Sequence, residues 1–178
     1  QMEVGFHKFS SGKEYIYVQD REARGAPKVF LRNIIFLQRA TDPHAFAIVR
    51  EWQAPTDVGV WEPPKGQMEW KEFRDSGIRP GSILTPAQLA RHARAGVLRE
   101  TAEEAKVLPS EIKGLHRLDV VYEQPWPESG VPGAHFRYQF WAGTITDKTL
   151  YEAQKRMTAL VEHPDWALML PPDMCEKD

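Results

Sequence analysis

Arg99-Glu100-Thr101-Ala102-Glu103-Glu104 is the stretch of this 178-residue chain with the clearest chemical content. On a helix, Glu100 lies one turn from Glu103 and Glu104, and the three carboxylates share a face. Three like charges repel, and these sit toward the C-terminal end of the helix, where the macrodipole disfavours anions. Local helix energetics do not account for such a cluster. A divalent cation does, because Mg²⁺ and Mn²⁺ take carboxylate and water oxygens. The competing reading is a solvated charged face with Arg99 and Lys106 as neighbours, the usual state of a charge run. Against it, R-E-x-x-E-E would arise by chance roughly 0.01 times in a chain of this composition. Upstream, Gly66 and Glu72 form a G-x5-E spacing, with Lys65 beside the glycine. Glycine permits a sharp turn or a close backbone approach to a ligand. Taken alone, this spacing is equally that of an ordinary turn.

Together these residues resemble the Nudix hydrolase signature, G-x5-E-x7-R-E-U-x-E-E-x-G-U, where U is bulky and aliphatic. Gly66, Glu72, Arg99, Glu100, Glu103, Glu104 and Val107 fill the required types, and Trp61-Glu62-Pro63-Pro64-Lys65-Gly66 is similar to the family's strand leading into the motif. Three features depart from it. The spacer from Glu72 to Arg99 is 26 residues rather than seven, so about 73–84 reads as an insertion. Thr101 stands at the first U, and Lys106 replaces the late glycine, so the helix is expected to end differently there.

The resemblance implies an α/β fold with a mixed β-sheet sandwiched between helices and a catalytic loop–helix–loop motif. It implies Mg²⁺- or Mn²⁺-dependent hydrolysis of a diphosphate that links a nucleoside to another group. Glu100, Glu103 and Glu104 would bind the metal. Gly66, Glu72 and Arg99 would shape the motif, with Arg99 pairing with Glu72. Catalysis would fall to Glu103 and Glu104, with a general base that in this family often comes from a loop outside the motif. Glu123, at a strand end, is the better candidate for that base, and Glu128 reads as a solvated loop residue.

Substrate contacts are expected from Lys65, Arg79, Trp70 and Trp126. The two basic side chains suit phosphate, and the two indoles suit a stacked base. Among six tryptophans, Trp126 stands out because it lies between Pro125 and Pro127 in a loop. Most of the six are expected in the core, since indoles bury large apolar areas. Arg91 and Arg94 read as a solvated helix face, and His135 as a structural histidine.

The elements that must position these residues follow from patterning. Glu14–Gln19 alternates weakly, and Lys28–Gln38 is rich in β-branched, aliphatic and aromatic residues, as in a largely buried strand. Ala45–Glu51 follows the turn signal Asp42-Pro43, which suggests a hairpin of two long strands. From Gln67 to Leu84 the pattern is irregular, as in a long loop. Thr85 as cap, Pro86 and Gln88 predict a helix start with a capping box. That helix is expected to run to about Val107, ahead of Pro109, with Leu89, Val97, Leu98, Thr101 and Ala105 toward a core. Strands are expected at Leu115–Tyr122 and His135–Ile145, and a last helix at about Thr149–Glu162, before Pro164.

Composition sets the outer bounds. The chain is 42% hydrophobic and 27% charged with net charge −2, which excludes disorder and any global positive field for nucleic acid. The expectation is a single domain over residues 1–178. Its one cysteine, Cys175, forms no internal disulfide, and no apolar run has the length of a membrane span. The expected setting is a soluble cytoplasmic protein acting on a small nucleotide or other diphosphate substrate, with dinucleoside polyphosphates and capped RNA among those the resemblance admits. The alternative is a non-catalytic Nudix-like module that binds or senses a nucleotide. A degenerate module would be expected to have lost some of Glu100, Glu103 and Glu104, and all three are present.

Overall fold

The computed structural model describes residues 1–50 and 61–162. In chain order the elements are β1 (Met2–Lys8), β2 (Glu14–Asp20), β3 (Lys28–Arg39), β4 (Asp42–Phe46), β5 (Val49–Arg50), β6 (Trp61–Glu62), β7 (Lys65–Gln67), α1 (Trp70–Asp75), β8 (Ile83–Leu84), α2 (Pro86–Ala105), β9 (Lys113–Pro125), β10 (Ala134–Ile145) and α3 (Asp147–Glu162). Single 3₁₀ turns occupy Pro109–Glu111 and Pro127–Ser129. The fold is mixed α/β, with a mostly open mixed sheet ordered β8-β1-β2-β3-β10-β9. β4 and β7 also pair with β3, and β5 and β6 form a separate ladder.

The chain divides into two compact units. The first comprises Gln1–Ile34, Gly66–Val97 and Leu118–Phe140; the second comprises the described parts of Ile35–Lys65, Leu98–Arg117 and Trp141–Asp178. β3, α2, β9 and β10 each continue from one unit into the other along the chain.

The period-2 pattern of β3 decides its role. Val29, Leu31, Asn33, Ile35 and Leu37 are all buried on one side, each no more than 4% exposed. Within the first unit, Asn33 Nδ2 donates to the Ala93 carbonyl of α2 at 3.5 Å, so that side lies under the helix. The capping box at the start of α2 forms as patterned: the Thr85 N–H donates to Gln88 Oε1 at 2.9 Å, and the Gln88 N–H to Thr85 Oγ1 at 3.2 Å. Val97, Thr101 and Ala105 are buried as expected, at 1%, 0% and 6% exposure.

Several expectations are corrected. The return strand after β3 begins at Asp42 rather than Ala45, because the chain reverses at Ala40-Thr41 and Asp42 pairs with Arg39. Pro43 is tolerated because β4 is an edge strand. The hairpin is therefore short, and Val49–Arg50 pairs instead with Trp61–Glu62. The irregular segment 67–84 contains α1 and β8, and β1, which patterning did not single out, pairs along its whole length with β2. Helix α3 starts at Asp147, two residues early, because Thr146 Oγ1 accepts the Thr149 N–H at 3.1 Å and caps it. Expectations at Glu51, Trp52, Pro164, Trp166 and Cys175 fall outside the described residues.

Candidate functional site

The carboxylates sit in the second unit, on the last turns of α2. Glu100 and Glu103 are partly buried, with side chains 13% and 25% exposed. Both are held by Arg99: Nη2 donates to Glu100 Oε1 at 3.0 Å, and Nη1 to Glu103 Oε1 at 3.0 Å and Oε2 at 3.1 Å. Glu104 is exposed and points elsewhere. Its Oε2 accepts the backbone N–H of Lys65 at 3.0 Å, which fastens the loop before Gly66 to the helix. The same loop is tied to β3, because the Ile35 N–H donates to the Pro64 carbonyl at 3.0 Å. Lys65 extends its ammonium to Glu62 at 3.1 Å.

Helix α2 ends at Ala105, not Val107, and the next residue corrects a second expectation. Lys106 takes φ +58°, the left-handed conformation that closes helices and favours glycine. The lysine standing where the family motif has glycine therefore adopts the conformation for which glycine is suited. Supporting bonds hold it there. Its N–H donates to Ala102 at 3.1 Å, its Nζ donates to the Glu103 carbonyl, and its own carbonyl accepts Arg156 Nη1 at 2.8 Å. Arg156 also grips Glu111 at 2.7 Å. Burial pushes the Glu111 carboxyl up, but the Arg156 hydrogen bond, the Leu108 N–H and the Arg156 charge outweigh it and hold it below the usual carboxylate range.

The remaining motif residues belong to the first unit. Gly66 lies in β7, and the next residue but one is clamped between strands: the Met68 N–H donates to Leu31, and its carbonyl accepts the Ile16 N–H. Glu72 projects from α1 against α2 at Gly96, where a β-carbon would stand 2.9 Å from Glu72 Oε2. Gly96 thus makes room for that carboxylate. Sequence reasoning missed it, although a buried glycine inside a helix is itself a signal of close packing. Trp70 is 3% exposed and packs on Phe6 and Phe73, so its ring is committed to the core; the expectation that it stacks on a substrate is corrected. Trp126 is partly buried among Phe9, Phe30 and Phe136. Arg79 is exposed in a turn whose backbone carbonyl accepts Ser82 Oγ at 2.6 Å.

Glu123, the candidate base, accepts Arg137 Nε on Oε1 at 2.7 Å. Its Oε2 stands 3.3 Å from His135 Nδ1 without hydrogen-bond alignment. The segment Phe73–Leu84 is anchored rather than loose. The Gly81 N–H donates to Val4, Val4 donates back to Ser82, and Ile83–Leu84 pairs with Met2–Glu3.

The donor set of the α2 carboxylates suits a hard divalent cation in kind: three carboxylates within five residues, two of them partly desolvated. In this arrangement Glu100 and Glu103 are satisfied by Arg99, and among the described residues no three Asp, Glu, His or Cys side chains converge on one point. Among the described residues no helix is long and apolar enough to cross a membrane. No protein-family model matches this chain, and no curated protein matches it.

Proposed function

We propose that the protein is a Mg²⁺-dependent pyrophosphohydrolase of Nudix type, acting on a diphosphate that links a nucleoside to a second group. One observation carries the reading: Glu100, Glu103 and Glu104 lie on the last turns of one helix, with Glu104 bound to the backbone of the loop that leads into Gly66. Glu100, Glu103 and Glu104 would hold the cation, or Mn²⁺ in its place. What the cation supplies when bound is charge neutralisation on the diphosphate and acidification of the attacking water. The chain's own residues do the rest. A glutamate of the set not fully used by metal takes the proton of the water. The water oxygen bonds to one phosphorus, the bond from that phosphorus to the bridging oxygen breaks, and two phosphate products leave. Lys65, bound through its N–H to Glu104, would offer positive charge to the phosphates. Gly66, Glu72 and Arg99 position the motif.

A second reading has its own observation. Arg99 already satisfies Glu100 and Glu103, as in a module that binds a nucleotide without cleaving it. The experiment that separates the two is a panel of diphosphate-linked nucleotides, capped RNA included, incubated with Mg²⁺, with Mn²⁺ and with chelator, the products being identified by mass. Metal-dependent cleavage supports the hydrolase. Nucleotide binding with no cleavage of any member supports the module.

A further inference from the structure

The side of β3 turned away from α2 carries an arrangement that the proposed chemistry does not use. Lys28, Phe30 and Arg32 alternate there, all within the first unit. The Arg32 guanidinium lies 4.2 Å from the ring centre of Phe136, 4.6 Å from that of Trp126 and 5.6 Å from that of Tyr138. Its Nη1 reaches Tyr138 Oη at 3.5 Å, and its Nε is buried without a hydrogen-bond partner. Lys28 repeats the theme, with its ammonium 4.9 Å from the centre of Tyr17. Phe30 joins the two halves by packing on Tyr17 and Trp126.

Among the described residues, neither Lys28 nor Arg32 has a carboxylate at ion-pair distance. The strand positions of β2, β3 and β10 on this side, within the first unit, include no Asp or Glu, and β1 places Glu3 there, opposite Gln19. Cation–π contact offsets part of the cost of holding a guanidinium out of water, about 0.5–2 kcal/mol. It does not supply the anion that a half-buried guanidinium pairs with best. A planar fork stacked on aromatic faces is also the form in which arginine recognises phosphate. Rings beside cations that have no carboxylate at ion-pair distance suit a ligand that is both flat and anionic.

We propose that this face recognises a nucleotide, with phosphate on Arg32 and the base against the rings of Tyr138 and Trp126. The identity of the ligand rests on the function proposed above, but the site stands on the first unit alone.

The test is calorimetric titration of AMP, with CMP in parallel, into the full chain in the presence of chelator. Adenosine and inorganic phosphate serve as the two halves of the ligand. AMP is expected to bind at least about tenfold more tightly than either half. Arg32→Gln should weaken AMP by about tenfold or more and leave adenosine within about twofold. Tyr138→Ala should weaken both, and Arg32→Lys should fall between the native chain and Arg32→Gln. Thermal melts establish that each variant is folded; should Arg32→Gln fail to fold, Arg32→Lys and Tyr138→Ala carry the comparison. AMP affinity unchanged in the folded variants, AMP binding no tighter than phosphate, or absence of AMP binding overturns the proposal. Because no metal is present, these outcomes are independent of hydrolysis. Full turnover in Glu104→Gln would remove the proposed reaction and leave the nucleotide face standing.

Discussion

At the scale of single residues, Arg156 holds the chain just beyond the candidate site by two acceptors, the Lys106 carbonyl and the Glu111 carboxylate. Because Glu111 is held below its ordinary range, it binds fewer protons folded than unfolded near pH 4, and the pair stabilises the fold most fully above that range. The contribution is lost as pH falls through the folded value. Glu111→Gln is therefore expected to lower stability at pH 7 by about 1–2 kcal/mol, and the gap from the native chain should close on acidification. His92, edge-on to Phe73, acts in the same direction at higher pH. Burial, followed by the neighbouring Arg91 charge, lowers its pKa, so its neutral form is favoured in the fold and stability declines as pH drops below about 6.5. Thermal melts from pH 8 to 3 check both; a Glu111→Gln melting temperature parallel to the native one at every pH would contradict the assignment.

At the scale of elements, α2 and α1 carry the arrangement, and they differ in how far the sequence reveals them. The start of α2 was legible because a capping box is a local signal, made of Thr85 and Gln88 alone. Its end was not, because the left-handed Lys106 depends on Arg156, fifty residues away. Helix α1 was hidden among glycine, proline and charged residues; it exists because Trp70 and Phe73 bury almost completely, a tertiary effect with no period in so short a segment. Phe73→Ala should accordingly cost about 3–5 kcal/mol, measured by denaturant unfolding. A cost under about 1 kcal/mol would mean that Phe73–Leu84 is a dispensable spacer. Gly96→Ala offers a sharper test of the packing between α1 and α2. Alanine favours the helix by about 1 kcal/mol, while its β-carbon displaces the Glu72 carboxylate. Stability is expected to stay within about 1 kcal/mol of native while turnover falls at least tenfold; a loss of stability with turnover intact would make Glu72 a purely structural residue.

At the scale of the whole molecule, the net charge of −2 leaves recognition of an anionic substrate to local groups. The carboxylates on α2 were legible as a pattern because i, i+3 and i+4 spacing is fixed by the helix. Their partners were not: the Lys65 N–H is a backbone group, and the hold of Arg99 on Glu103 is a choice of rotamer. The most direct test of the central claim is turnover of a dinucleoside polyphosphate by Glu103→Gln and Glu104→Gln, with Mg²⁺ titrated and melting followed in parallel. These changes remove charge at constant shape. The account predicts turnover at least a hundredfold below native in both, with melting temperatures close to native and with native activity abolished by chelator and restored by Mg²⁺. Near-native turnover in both variants, or native turnover indifferent to chelator, would contradict it.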